Sequence, residues 1–253
     1  MKNATLAACV WMLSLLAPAT ASAITISFVD GTFNLANYTQ TNVFTSSGDV
    51  QVAISQCASC GNPGQALVVD TDLLLTGGGL ADVGFLNNAW LYDPLTQGAI
   101  TSLSASVDKN LSVGATADGG YTGPFGNSFR PLLFQGGNFY MATLAGPILP
   151  TFGTSGFNTI ANAALVATDF VLYDFTLGGF GVGNPDFAGG LMQFGIGQIS
   201  TTVGLNFTDA FVDASYDNLQ IGVTNASAVP EPSTWLLLGT GLAALLVRHR
   251  TRA

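Results

Sequence analysis

The chain has 253 residues and a formal net charge of −9, with 6 Lys and Arg against 15 Asp and Glu. Between residues 24 and 228 the only basic side chains are Lys109 and Arg130, which excludes the clustered cations that nucleic acid or an anionic lipid surface requires. The same stretch holds 14 Asp, no Glu and no His. That rules out Ser-His and Cys-His nucleophile pairs, but leaves hard oxygen ligands for a divalent cation.

Residues 1–23 read as a secretory signal peptide. Lys2 is the charged region, Leu6 to Leu16 the apolar core, and Ala21-Ser22-Ala23 the small-residue cleavage box. Signal peptidase is expected to cut after Ala23. Leu6-Ala7-Ala8-Cys9 also matches a lipoprotein box, but eight residues ahead of Cys9 are too few for a charged region plus an apolar core.

Residues 24–228 are long enough for one sizeable core. Helix formers are scarce, whereas Gly, Thr, Ser, Asn, Val and Phe are plentiful, so the expected fold is all-β, with strands joined by tight turns. Ile24, Ile26 and Phe28 alternate with polar residues. So do Val50, Val52 and Ile54, and later Leu219, Ile221 and Val223. Each set predicts a half-buried strand. Gln135-Gly136-Gly137-Asn138 predicts a hairpin turn between Leu132–Phe134 and Phe139–Met141. A second hairpin is expected at Asp108-Lys109-Asn110, and a central strand over Leu165 to Leu177, where both faces are apolar. Gly77-Gly78-Gly79 and the Gly-rich stretch from Gly178 to Gly197 read as the loosest segments. Many short strands point to an antiparallel sandwich or barrel.

Cys57-Ala58-Ser59-Cys60 precedes a Gly-Pro turn. Outside the cytoplasm this pair predicts a local disulfide. Thiol exchange would need a helix N-terminus, and zinc would need two further ligands. Trp90 and Tyr92 lie two apart and share a face in a strand, where they either pack in the core or stack on sugar rings.

The last 25 residues have three parts. Val229-Pro230-Glu231-Pro232 is a short turn motif, residues 234–247 form an apolar span, and residues 248–253 form a tail with Arg248, Arg250 and Arg252. The basic residues resist crossing and stay on the cytoplasmic side. The span has 14 residues, against roughly 20 for a stable crossing. It reads as a single short transmembrane helix, either a plain anchor or one meant to be removed. Motif, span and Arg cluster in this order resemble the PEP-CTERM sorting signal of Gram-negative bacteria that make exopolysaccharide. The resemblance implies that an exosortase-type membrane protease cuts near the motif. Together the two ends place residues 24–228 outside the inner membrane, held there until processing by the helix whose C-terminus is cytoplasmic.

Phe28-Val29-Asp30-Gly31-Thr32-Phe33 and Tyr216-Asp217-Asn218-Leu219-Gln220-Ile221 carry a second resemblance, to jelly-roll domains of the lectin-like and carbohydrate-binding type. It implies that the first and last strands lie side by side. It also implies that Asp30 and Asp217 ligate a structural calcium ion, although each residue equally suits a turn or a strand cap. No other cofactor is expected.

The reading as a whole is a β-sandwich exported and then sorted to the cell surface or the extracellular matrix of a biofilm, without catalysis. Its alternatives are a carbohydrate-binding module acting on extracellular polysaccharide and a hydrolase built on paired Asp residues.

Overall fold

The computed structural model describes residues 23–73, 79–115, 125–143, 156–202 and 210–226, together with Gly239. In chain order the first strands are β1 (Ile24–Asp30), β2 (Tyr38–Gln40), β3 (Phe44–Thr45), β4 (Val50–Gly61), β5 (Gly64–Leu73), β6 (Gly79–Tyr92) and β7 (Ile100–Ala115). A one-turn helix, α1 (Pro94–Gln97), lies between β6 and β7. The remaining strands are β8 (Phe125–Gln135), β9 (Asn138–Ala142), β10 (Asn158–Leu165), β11 (Phe170–Asp174), β12 (Gly179–Phe180), β13 (Met192–Thr202) and β14 (Ala210–Asn225).

The strands form two antiparallel sheets. Sheet one has the order β10-β7-β14-β5-β4, with β1 also on β14. Sheet two has the order β12-β11-β9-β8-β13-β6-β2, with β3 also on β6. The chain passes from one sheet to the other at β1–β2, β3–β4, β5–β6, β6–β7, β7–β8, β9–β10, β10–β11 and β13–β14. This crossing pattern makes the sandwich a jelly roll. The first and last strands are neighbours, and the Thr25 and Thr224 hydroxyls meet at 3.2 Å.

Alternation decides which side chains enter the core. In β7 the inward residues are Leu103, Ala105, Val107, Lys109 and Leu111, every second position of one continuous strand. The hairpin expected at Asp108–Asn110 is therefore absent. Asp108 leans to the other face, where it accepts from Asn218 Nδ2 at 2.8 Å and from Thr159. In β14 the inward set changes phase, from Val212, Ala214 and Tyr216 to Leu219, Ile221 and Val223. The shift is a bulge between Asp217 and Gln220, with Asn218 at φ 50°, a left-handed conformation that Asn tolerates.

The expected central strand over Leu165 to Leu177 is also corrected. It divides into the end of β10, a 3-10 turn at Ala167–Asp169, the whole of β11 and the turn that follows it. Asp169 forces the break by accepting from the Val166 N–H at 2.8 Å. The Gln135–Asn138 hairpin forms between β8 and β9, with Gly136 and Gly137 at φ 59° and 85°. Gly195, in the stretch read as loose, lies inside β13, where a Cβ would come within 1.9 Å of the Phe85 carbonyl oxygen.

Hydrophobic residues from both sheets fill the space between them, including Leu67, Phe85, Phe129, Phe194, Tyr216 and Ile221. A second cluster lies on the outer face of sheet two: Leu86, Leu132, Met141, Tyr173 and Phe175. The turn after β11 folds Phe175 back over Gly84, where a Cβ would lie 2.8 Å from the Phe175 ring.

Candidate functional site

The signal peptide residues Ala21 and Ser22, the motif Val229 to Pro232, the span at 234–247 apart from Gly239, and the tail with Arg248, Arg250 and Arg252 lie outside the described residues. Ala23 is described and precedes β1. Among the described residues no helix is long and apolar enough to cross a membrane.

Asp30 ends β1 inside the fold. Its Oδ1 accepts from Thr32 N (2.8 Å), Thr32 Oγ1 (3.0 Å) and Phe33 N (2.9 Å), and its Oδ2 accepts from the Tyr38 hydroxyl (2.9 Å). Asp217 accepts from the N–H groups of Asn62 and Asn218. The turns carrying the two carboxylates are adjacent, since a Cβ at Gly31 would lie 3.2 Å from Asn218 Oδ1. These donors present positive hydrogens to the oxygens a calcium ion would take. Among the described residues no three His, Cys, Asp or Glu side chains are grouped to hold a metal.

Cys57 and Cys60 are joined in a disulfide, with Cα atoms 5.5 Å apart. Beyond the pair, the tip of the β4–β5 hairpin reaches across to the bulge in β14. Asn218 Nδ2 donates to the Asn62 carbonyl at 2.7 Å.

Trp90 and Tyr92 are core residues, which corrects the sugar-stacking alternative. Trp90 is 6% exposed and stacks on Phe28 at 5.9 Å. Tyr92 is fully buried and its hydroxyl donates to the Gly98 carbonyl at 2.7 Å. Neither ring face is open to a ligand.

Sequence reasoning missed a cluster on the outer face of sheet two. Asp82 is 1% exposed, receives a hydrogen bond from the Tyr173 hydroxyl, and has Oδ1 without a partner among the described residues. Burial pushes its carboxyl up to about 6, against the opposing pull of the Tyr173 hydrogen bond and the Arg130 charge. Arg130 lies over the Phe180 ring at 5.4 Å and donates to the carbonyls of Ala142 and Thr143, both at 2.8 Å. The one signal in the sequence was an Asp inside the otherwise apolar run Leu80 to Phe85. Beside this cluster lies a cleft of about 390 Å³ lined by Gln40, Thr41, Asn42, Asn138, Phe139 and Thr176, among others. A second cleft, of about 480 Å³, is lined by Asn37, Asn87, Asn88 and the edge of Trp90. The first presents amides and hydroxyls together with the exposed carboxylate of Asp174, and the second presents Asn amides together with Asp30.

Lys109 points between the sheets, where its Nζ donates to the Asn127 carbonyl. Asn127 in turn accepts from the Tyr216 hydroxyl at 2.8 Å and donates to Ser200 Oγ at 2.9 Å. Burial lowers the Lys109 ammonium to about 7. Asp213 faces Asp70 across sheet one. Burial, then the charges of Asp70 and Asp72, raise Asp213 to about 6. These three carboxylates lie outside both clefts.

Residues 228–250 match the PEP-CTERM protein-sorting motif. The signal marks an exported protein that an exosortase sorts at the membrane. Among curated proteins, none matches the sequence. Two solved structures are similar to the chain. One is the family 11 carbohydrate-binding module of a cellulosomal cellulase of Clostridium thermocellum, with 15% identity, a TM-score of 0.34, and coverage of 80% of this chain and 95% of that one. The other is the family 11 module from Clostridium thermocellum in complex with a β-1,3-1,4-mixed-linked tetrasaccharide. It has 14% identity, a TM-score of 0.35, and coverage of 82% and 98%.

Proposed function

We propose that the protein is a non-catalytic component of the cell surface or the exopolysaccharide matrix. In this reading signal peptidase removes residues 1–23, the C-terminal helix holds the domain at the inner membrane, and the exosortase releases it. The PEP-CTERM motif at 228–250 is the observation that carries the reading. The missing His between residues 24 and 228 supports a role without nucleophilic catalysis. Fractionation of cells with and without the exosortase tests it. The processed protein should be extracellular in the first and stay in the membrane fraction in the second.

A second reading is favoured by the clefts. Amides and hydroxyls beside the half-buried Phe139, with Asp174 as a further hydrogen-bond acceptor, suit an uncharged polysaccharide, whose hydroxyls pair with these groups and whose C–H faces meet the ring. Affinity electrophoresis against neutral polysaccharides tests this, with Asn138→Ala and Phe139→Ala as the expected weak binders. The Asp-dependent hydrolase stands behind both. The converged Asp70, Asp72 and Asp213 are its one support, and an activity screen with calcium present would reveal it.

A further inference from the structure

The sandwich is fixed to its last strand residue. Asn225 is 4% exposed, and its Nδ2 donates to the Gln97 carbonyl at 2.6 Å and the Tyr92 hydroxyl at 2.9 Å. The recognition element Pro230-Glu231-Pro232 follows after only four residues, Ala226 to Val229. Fully extended, four residues reach ~14 Å. A protease binds substrate as an extended strand in a cleft, and even a ~100-residue protein has a radius of gyration of ~13 Å. An enzyme that grips Pro230 to Pro232 therefore meets the end of the sandwich as well.

That end is apolar. Leu95 is 73% exposed on α1, whose Gln97 carbonyl holds Asn225. Leu191 is 55% exposed and precedes Met192, which pairs with Tyr92. Leu91 is 44% exposed and pairs with Gln193. The charged neighbours are Asp93 and Asp186, the latter in the loop before Leu191, while the two basic residues of the domain lie elsewhere, Lys109 between the sheets and Arg130 beside Phe180. An apolar, slightly acidic surface fits a protein groove better than an anionic lipid face.

We propose that Leu91, Leu95 and Leu191 form a docking surface for the sorting protease, within reach because only four residues separate Asn225 from the cleavage motif. This rests on the exosortase reading above. The surface adds contact area that a short peptide motif lacks, and it requires the domain to be folded before it is cut.

The test uses the full chain co-expressed with its exosortase, reading the rate at which the C-terminal segment is lost. Leu95→Asp with Leu191→Asp should slow processing about tenfold, the scale of losing interface anchor residues, without lowering the melting temperature. A Gly-Ser insert of ~10 residues between Ala226 and Ser227 frees the domain from the enzyme. In that background the two Asp substitutions should have no effect. Processing of the Leu variant at the native rate would overturn the docking surface, as would a loss that the insert fails to restore. The triple variant Pro230→Ala, Glu231→Ala, Pro232→Ala separates the two ideas. If it is processed normally, the sorting reading itself fails. If it is blocked while the Leu variant is not, sorting stands and the docking surface falls.

Discussion

Three titratable side chains, the buried Asp82 and Lys109 and the half-buried Asp213, set an unusual dependence of stability on pH. Asp82 and Asp213 both titrate near 6 in the folded protein, above the ordinary 3.8. Between about 4 and 6 the folded state therefore holds more protons than the unfolded state, and stability falls as pH rises through that window. Lys109 behaves in the opposite way, because its folded value of about 7 lies below the ordinary 10.5. From about 7 to 10 the unfolded state holds the extra proton, and stability rises with pH. Melting temperature against pH should thus pass through a minimum between about 6 and 7. Lys109→Met should flatten the alkaline limb, and Asp82→Asn the acid one. A single maximum near neutrality in the native protein would contradict these burials. At the same scale, Trp90→Ala should cost about 3–5 kcal/mol in urea unfolding, the range for a core aromatic. A ring exposed for sugar stacking would cost far less.

Strands were legible in the sequence wherever one face is wet. Val50, Val52 and Ile54 lie on the inward side of β4, and Leu219, Ile221 and Val223 on the inward side of β14. Asp108-Lys109-Asn110 misled because a polar triplet mimics a turn. Here the outward pair is bound by Asn218, Thr159 and other polar partners, while Lys109 is satisfied inside by Asn127. The glycines near the C-terminal end of the domain misled for a different reason. Gly195 and Gly197 make room for the Phe85 backbone and for Met141, not for a flexible loop. Gly195→Ala should therefore destabilise by about 1–3 kcal/mol or more, as overpacking does. Gly190→Ala, where a Cβ meets nothing within 4 Å, should be near neutral. Equal midpoints for the two variants in denaturant would show that β6 and β13 are not so closely packed.

For the whole molecule, the sorting motif was the most legible feature, because Pro230, Glu231, Pro232, the apolar span and the Arg tail are read in linear order. The outer face of sheet two was the least legible. Asp82, Arg130 and the pair Tyr173 and Phe175 are far apart in sequence, and only the strand order β11-β9-β8-β13-β6 and the fold-back of the turn after β11 gather them. Sorting and fold meet at Asn225, where the last strand is held by Tyr92 and α1 just ahead of the cleavage motif. The central claim is that this β-sandwich is exported, cut at its PEP-CTERM motif and released. Intact-mass measurement of the protein recovered outside the cell tests it most directly. A chain that begins at Ile24 and has lost Trp235 to Ala253 is the predicted result. Recovery there of a chain that still carries Arg248, Arg250 and Arg252 would contradict it.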